Sequence, residues 1–150
     1  LRKTDGTSSA AVYAVQTPPI PQTPMDIVAV DGPLTFKGYT VHDTDQIWTY
    51  WHVKALPNRP LSLMAHRIGP DGTAAAVGDG LGFPIEQWQI GDLIVQRHDL
   101  TLAPEAVAGT YSLHIGAYWL DTMTRWDLNV QGRLQDHVVL QTQEIPPREK

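Results

Sequence analysis

Cysteine is absent from this chain of 150 residues, so it has neither disulfide staples nor thiolate chemistry. That absence is compatible with either side of a membrane. Long apolar runs are missing too. No stretch approaches the roughly 20 residues that a membrane-crossing helix needs, which excludes a helical span of the bilayer here. Positive charge is scarce: 11 Lys and Arg stand against 16 Asp and Glu, a net charge of −5. A duplex nucleic-acid partner, whose phosphates require a basic face, is excluded on that ground. Long helices are excluded by punctuation, because 12 Gly and 12 Pro interrupt the chain throughout. G-x-S-x-G, P-loop, H-E-x-x-H and C-x-x-C signatures do not occur. What is present is an ordinary hydrophobic fraction of 42%, enough for one compact domain with a single core.

The sequence starts at Leu1 with no initiator Met and no charged-then-apolar leader. It reads as a piece of something longer, or as a processed mature protein. Residues 1–33 read as a Pro-rich linker or tail. TDGTSSA is small and polar, and TPPIPQTP carries Pro18, Pro19, Pro21 and Pro24. Prolines at this density fix an extended, polyproline-type backbone and remove hydrogen-bond donors. The P-x-x-P spacings from Pro18 to Pro21 and from Pro21 to Pro24 also match a ligand for an aromatic groove. Residues 34–145 read as the folded domain and 146–150 as a short tail.

From Leu34 onward the pattern is one of short strands separated by turns. QIWTYWHVK alternates Ile47, Thr49, Trp51 and Val53 on one face with Trp48, Tyr50 and His52 on the other. LSLMAHRI alternates likewise and ends at the turn Gly69-Pro70-Asp71-Gly72. TAAAVG makes a weak strand at best. In DLIVQRHDLTL, Leu93 and Val95 lie on one face and Leu100 and Leu102 on the other, which predicts a bulge or a crossing between sheets. TYSLHIGAYW alternates strictly from Tyr111 to Trp119. Trp119, Met123, Trp126 and Val130 recur at helical spacing. The two threonines nearby, the missing N-cap and the strand running into this window favour strand, turn, strand instead. Seven or eight short strands at this spacing predict an all-β fold: an antiparallel β-sandwich, jelly-roll or immunoglobulin-like, behind the extended Pro-rich segment.

Residues able to carry chemistry are few. Ser8, Ser9, Ser62 and Ser112 are the available nucleophiles, and none sits in a sharp Gly-flanked turn that would expose a reactive hydroxyl. His42, Asp43 and Asp45 share one turn, whereas His98 and Asp99 point to opposite faces of a strand. His52, His66 and His114 occupy faces opposite apolar sets and would form a patch if their strands were neighbours. Asp71 and Asp79 lie in a loop without EF-hand spacing, so no metal and no cofactor is expected. Acids such as Glu86, Asp92, Asp121 and Asp127 read as surface charge.

The tryptophans offer the one lead toward a ligand. Five indoles exceed what a core of this size needs, and a flat aromatic face suits the C–H surface of a sugar ring. Alternation assigns Trp51 and Trp119 to the core. It leaves Trp48, Trp88 and Trp126 as the candidates for exposure, with Glu86, Gln87 and Arg125 as polar companions for hydroxyl groups.

One family resemblance rests on the order GYTV, an aromatic-rich strand with Tyr50-Trp51, then PDG, then Trp88-x-x-Gly91, then AGTYSLHIGAYWLDTMTR. Gly38, Tyr39, Trp51, Asp71, Gly72, Trp88, Gly91, Gly109, Tyr111, Gly116, Tyr118 and Arg125 fall on its pattern. Across about 34–139 the chain resembles the soluble C-terminal β-sandwich domain of bacterial multi-spanning glycosyltransferases of the protein-mannosyltransferase type and of related membrane proteins. Most of these are turn and packing residues. The resemblance implies an extracytoplasmic or cell-surface module of a membrane-anchored parent. The expected function is therefore a non-catalytic accessory module that binds carbohydrate or another protein. A purely structural domain and a small glycoside-type hydrolase are the alternatives.

Overall fold

The structure, a computed structural model, describes residues 20–43 and 45–147. In chain order the strands are β1 (Thr23–Val28), β2 (Leu34–Val41), β3 (Gln46–Val53), β4 (Leu61–Ile68), β5 (Ala74–Val77), β6 (Leu93–Asp99), β7 (Gly109–Trp119), β8 (Thr124–Arg125), β9 (Leu128–Val130), β10 (Arg133–Gln135) and β11 (Val138–Ile145). A single 3₁₀ turn, Ile85–Gln87, stands among the described residues. The first sheet has the order β1-β2-β3-β6 and the second β11-β7-β4-β5, with β8 paired to the end of β7 and β9–β10 forming a separate hairpin. All pairings are antiparallel. This is the expected all-β sandwich.

The core lies where the inward residues of the two sheets meet. Phe36, Ile47, Trp51, Val53 and Ile94 come from the first sheet, and Leu61, Leu63, Ala65, Leu113, Ile115 and Ala117 from the second. Each set repeats every second residue, as a pleated strand requires. Trp51 packs on Phe36 with ring centroids 4.9 Å apart. The window from Ala117 to Val130 is not helical. β7 runs to Trp119, the chain turns through Asp121–Met123, and Thr124 pairs back on Trp119. Met123 closes that turn at φ 57, a left-handed conformation that costs a non-glycine residue about 1 kcal/mol.

Two expectations change. The first concerns residues 1–33, read as linker: β1 lies inside them and pairs with β2, and Ala29 continues to a bridge with Leu128. Proline density concealed a strand because Pro24 occupies an edge, where its missing donor is tolerated. Pro24 sits opposite Gly38, whose φ is +128 and whose absent Cβ would fall 2.2 Å from the Thr23 carbonyl oxygen. Residues 1–19 and 148–150, with Pro18, Pro19, Ser8 and Ser9, lie outside the described residues.

The second change concerns β6, which has no bulge. It pairs with β3 in unbroken register, and Ile94, Gln96, His98 and Leu100 are all buried. The inward face carries two polar residues, so the apolar pattern only looks as if it changes side. The segment after the PDG turn forms the weak strand expected of it, four residues at the edge of the second sheet.

Candidate functional site

The six residues singled out for a ligand do not converge. Trp88 is 4% exposed and Trp126 wholly buried, both within the core. The short turn Ile85–Gln87 explains Trp88: it leaves Glu86 and Gln87 exposed, turns the next side chain inward, and lets the indole Nε1 donate to the Phe83 carbonyl at 3.0 Å. Trp126 packs on Trp119 with centroids 5.2 Å apart, and Gly32 lies so close that a Cβ there would come within 2.6 Å of its ring. Arg125 is exposed on the short β8 and its Nη1 reaches Asp136 Oδ2 at 3.5 Å. Trp119, expected in the core, packs against it only partly buried, with the Arg59 guanidinium 4.5 Å above its ring. Arg59 in turn grips Asp121 through Nε and Nη2 at 3.1 and 2.5 Å.

Trp48 alone of the three faces outward and stays half-buried. Alternation along β3 places it opposite the buried Ile47 and Thr49. Its cross-strand neighbours are Thr40 on β2 and Arg97 on β6. The His42 ring lies 5.6 Å away, and Thr40 Oγ1 is 3.1 Å from the Tyr50 hydroxyl one step along the same face. The His42-Asp43-Asp45 turn is built for closure rather than for a metal, because Asp43 Oδ1 accepts the amides of Asp45 and Gln46 at 2.8 and 3.0 Å.

Arg97 is also one wall of a groove of about 250 Å³, between the edges of the two sheets. Val77, Gly78, Asp79, Gln96 and Asp99 complete the lining. Two carboxylates and a guanidinium therefore line the groove, and the guanidinium is the cross-strand neighbour of the half-buried Trp48 indole. Asp79 is fixed by three donors: Ala65 N–H at 3.0 Å, Tyr118 O–H at 3.1 Å and His66 Nε2, 3.1 and 3.2 Å from its two oxygens. Burial works to raise its pKa, but these bonds outweigh it and hold the carboxyl below the usual range. Asp99 is lowered by the Thr101 hydroxyl and amide.

The floor beneath the groove is rigid. His98, 1% exposed, sits at an inward position of β6 with Nδ1 2.7 Å from the Gly78 carbonyl oxygen and Nε2 2.8 Å from Thr49 Oγ1. A carbonyl only accepts, so Nδ1 carries the proton and Nε2 receives the Thr49 hydroxyl. Thr49 accepts Trp51 Nε1–H at 2.8 Å. Burial lowers the imidazole pKa to about 4, so it is neutral at neutral pH.

On the outer side of the second sheet His66 and His114 are cross-strand partners, as the patch expectation required, but His52 is exposed on the other sheet. His137 joins them instead, stacked on His114 at 4.4 Å and 7°. Sequence spacing does not show that contact, because it depends on the turn before β11. Parallel rings aim their nitrogens side by side, not at one ion. Among the described residues no group of three His, Asp or Glu side chains is disposed to hold a metal. Ser112 Oγ lies 3.0 Å from His114 Nε2, yet in mid-strand, and its adjoining pocket of about 10 Å³ is too small for a substrate.

Glu86 lines a second, more apolar groove of about 290 Å³ with Pro60, Leu61, Leu81, Ile85 and Leu120. Of the acids read as surface charge, Asp92 accepts the Gln89 amide and Asp121 binds Arg59, while Asp71 closes its own turn through Thr73. The described residues contain no helix long and apolar enough to cross a membrane. Compared with known proteins, the chain matches no family model, no curated protein and no solved structure.

Proposed function

We propose that this sandwich is a non-catalytic accessory module, on the extracytoplasmic side of a membrane-anchored parent, that binds carbohydrate at Trp48 and the groove beside it. One observation carries the ligand reading: the single outward-facing candidate indole lies across from Arg97, which is itself a wall of a groove of about 250 Å³ lined with Asp79, Gln96 and Asp99. An indole face offers apolar area to a sugar ring, and convergent polar groups at its edge bind hydroxyls. The volume suits one sugar residue. The compartment and the parent rest on the family resemblance alone.

Binding on a broad glycan array, followed by titration of the best glycan against intrinsic Trp fluorescence, tests this reading. Trp48→Ala and Arg97→Ala are expected to abolish the signal while the protein stays folded. No binding to any glycan, or binding indifferent to both substitutions, sinks it. A docking role without a small ligand is the second reading. It rests on Leu56, Ile90, Leu120 and Met123, large apolar side chains exposed in the connections.

A further inference from the structure

We propose that His114 and His137 form an acid-released latch that holds the Asp136–His137 turn down on the outer face of the second sheet. The turn lies directly over Gly116: a Cβ there would meet the Asp136 carbonyl oxygen at 3.1 Å and the His137 Cα at 3.7 Å. Met64, paired with Gly116 on the neighbouring strand, points outward yet is only 1% exposed. Glycine at 116 thus lets the turn come down where a side chain would hold it off.

Two contacts fasten the turn. The His137 ring stacks on His114, and Asp136 reaches Arg125 Nη1 at 3.5 Å while its Oδ1 lies 2.7 Å from His137 Nδ1. Two parallel imidazoles 4.4 Å apart attract when at most one is charged and repel when both are. The charged and titratable groups facing His114 are His66 from β4, His137 and Asp136 from the turn, and Arg125 from β8; Ser112 is its neighbour along β7. His137, His66 and Arg125 all work against a positive charge on His114, and only Asp136 favours one. Burial and this crowding hold His114 below the usual imidazole range. The latched form is therefore favoured above the ordinary imidazole pKa and weakens as pH falls through it.

A hinge for the release is already present. The pairing of β11 with β7 shifts register between Val139 and Gln141, so the first two residues of β11 are separate from the ladder that follows. They can leave without unzipping the remainder. The latch lies on the second sheet and is independent of the carbohydrate reading.

Hydrogen–deuterium exchange of the full chain, at about pH 7.5 and about pH 5.5 and corrected for intrinsic rates, tests the latch. The amides from His137 to Leu140 are expected to lose about tenfold protection at the lower pH, while the β4–β7 ladder keeps its own. His114→Gln, uncharged at both values, is expected to remove the acid effect. His137→Gln serves the same purpose if that variant does not fold. Equal protection at the two pH values, an equal loss across the whole domain, or an acid effect that survives the substitution overturns the proposal.

Discussion

The imidazole of His98 donates from Nδ1 to the carbonyl oxygen of Gly78 at 2.7 Å, which ties the end of β5 in one sheet to β6 in the other. Because the ring is fully buried and neutral, this tie is sensitive to acid. The folded pKa is about 4 against an ordinary 6.5, so the unfolded chain takes the proton first as pH falls. Stability is complete above pH 6.5 and drains away toward pH 4, by about 3 kcal/mol if His98 acts alone. Urea denaturation across this range is expected to show that loss, with a flatter profile in His98→Gln. An identical pH slope in the variant would show that other groups govern the acid response.

Thr49 holds two buried partners at once, accepting from Trp51 and donating to His98. Thr49→Val keeps the shape and strands both nitrogens. The expected cost is about 2–4 kcal/mol by denaturant unfolding, against about 1 kcal/mol for Thr49→Ser, which keeps the hydroxyl. Equal costs would place the stabilisation in the methyl group.

The tryptophans separate into two classes. Trp88→Ala and Trp126→Ala are each expected to destabilise the fold by about 3–5 kcal/mol, because they empty core positions. Trp48→Ala, on a half-buried outer position, is expected to cost less than about 2 kcal/mol. Thermal melts of the three variants check the ranking.

Gly38→Ala meets two obstacles: a φ of +128 and a Cβ 2.2 Å from the Thr23 carbonyl oxygen. Something in β1 must move. The expected loss is about 3 kcal/mol or more, with exchange protection lost first along β1. A melting temperature equal to the wild type would contradict the close β1–β2 approach.

How much of this was legible beforehand depended on the range of the interaction. Strict alternation from Tyr111 to Trp119, and from Ile47 to Val53, announced strands whose inward residues do form the core. β1 was hidden because its pairing with β2 is irregular, while its prolines are a signal of extended, unpaired chain. The inward Gln96 and His98 misled for the opposite reason. Their polarity is satisfied by the Gly82 amide, Thr49 and Gly78, distant partners that no window along β6 contains. Trp88 looked exposed because it follows a polar loop, and one tight turn reverses its direction. Trp48 does face outward as alternation places it, but its neighbour Arg97 came only with the pairing of β3 and β6.

The irregular first strand has a further consequence. A sheet border with a free row of amides and carbonyls recruits strands from other molecules. Here Pro24 removes one amide, the register shift between Pro24 and Ile27 breaks the row, and Asp26 adds charge bound by Lys37 at 3.1 Å. On the other sheet β5 is only four residues long, while β11 is interrupted and then followed by Pro146 and Pro147. These three borders are thus poor templates for growth, which leaves β6, seven residues in unbroken register, as the regular edge of the two main sheets where another strand could add.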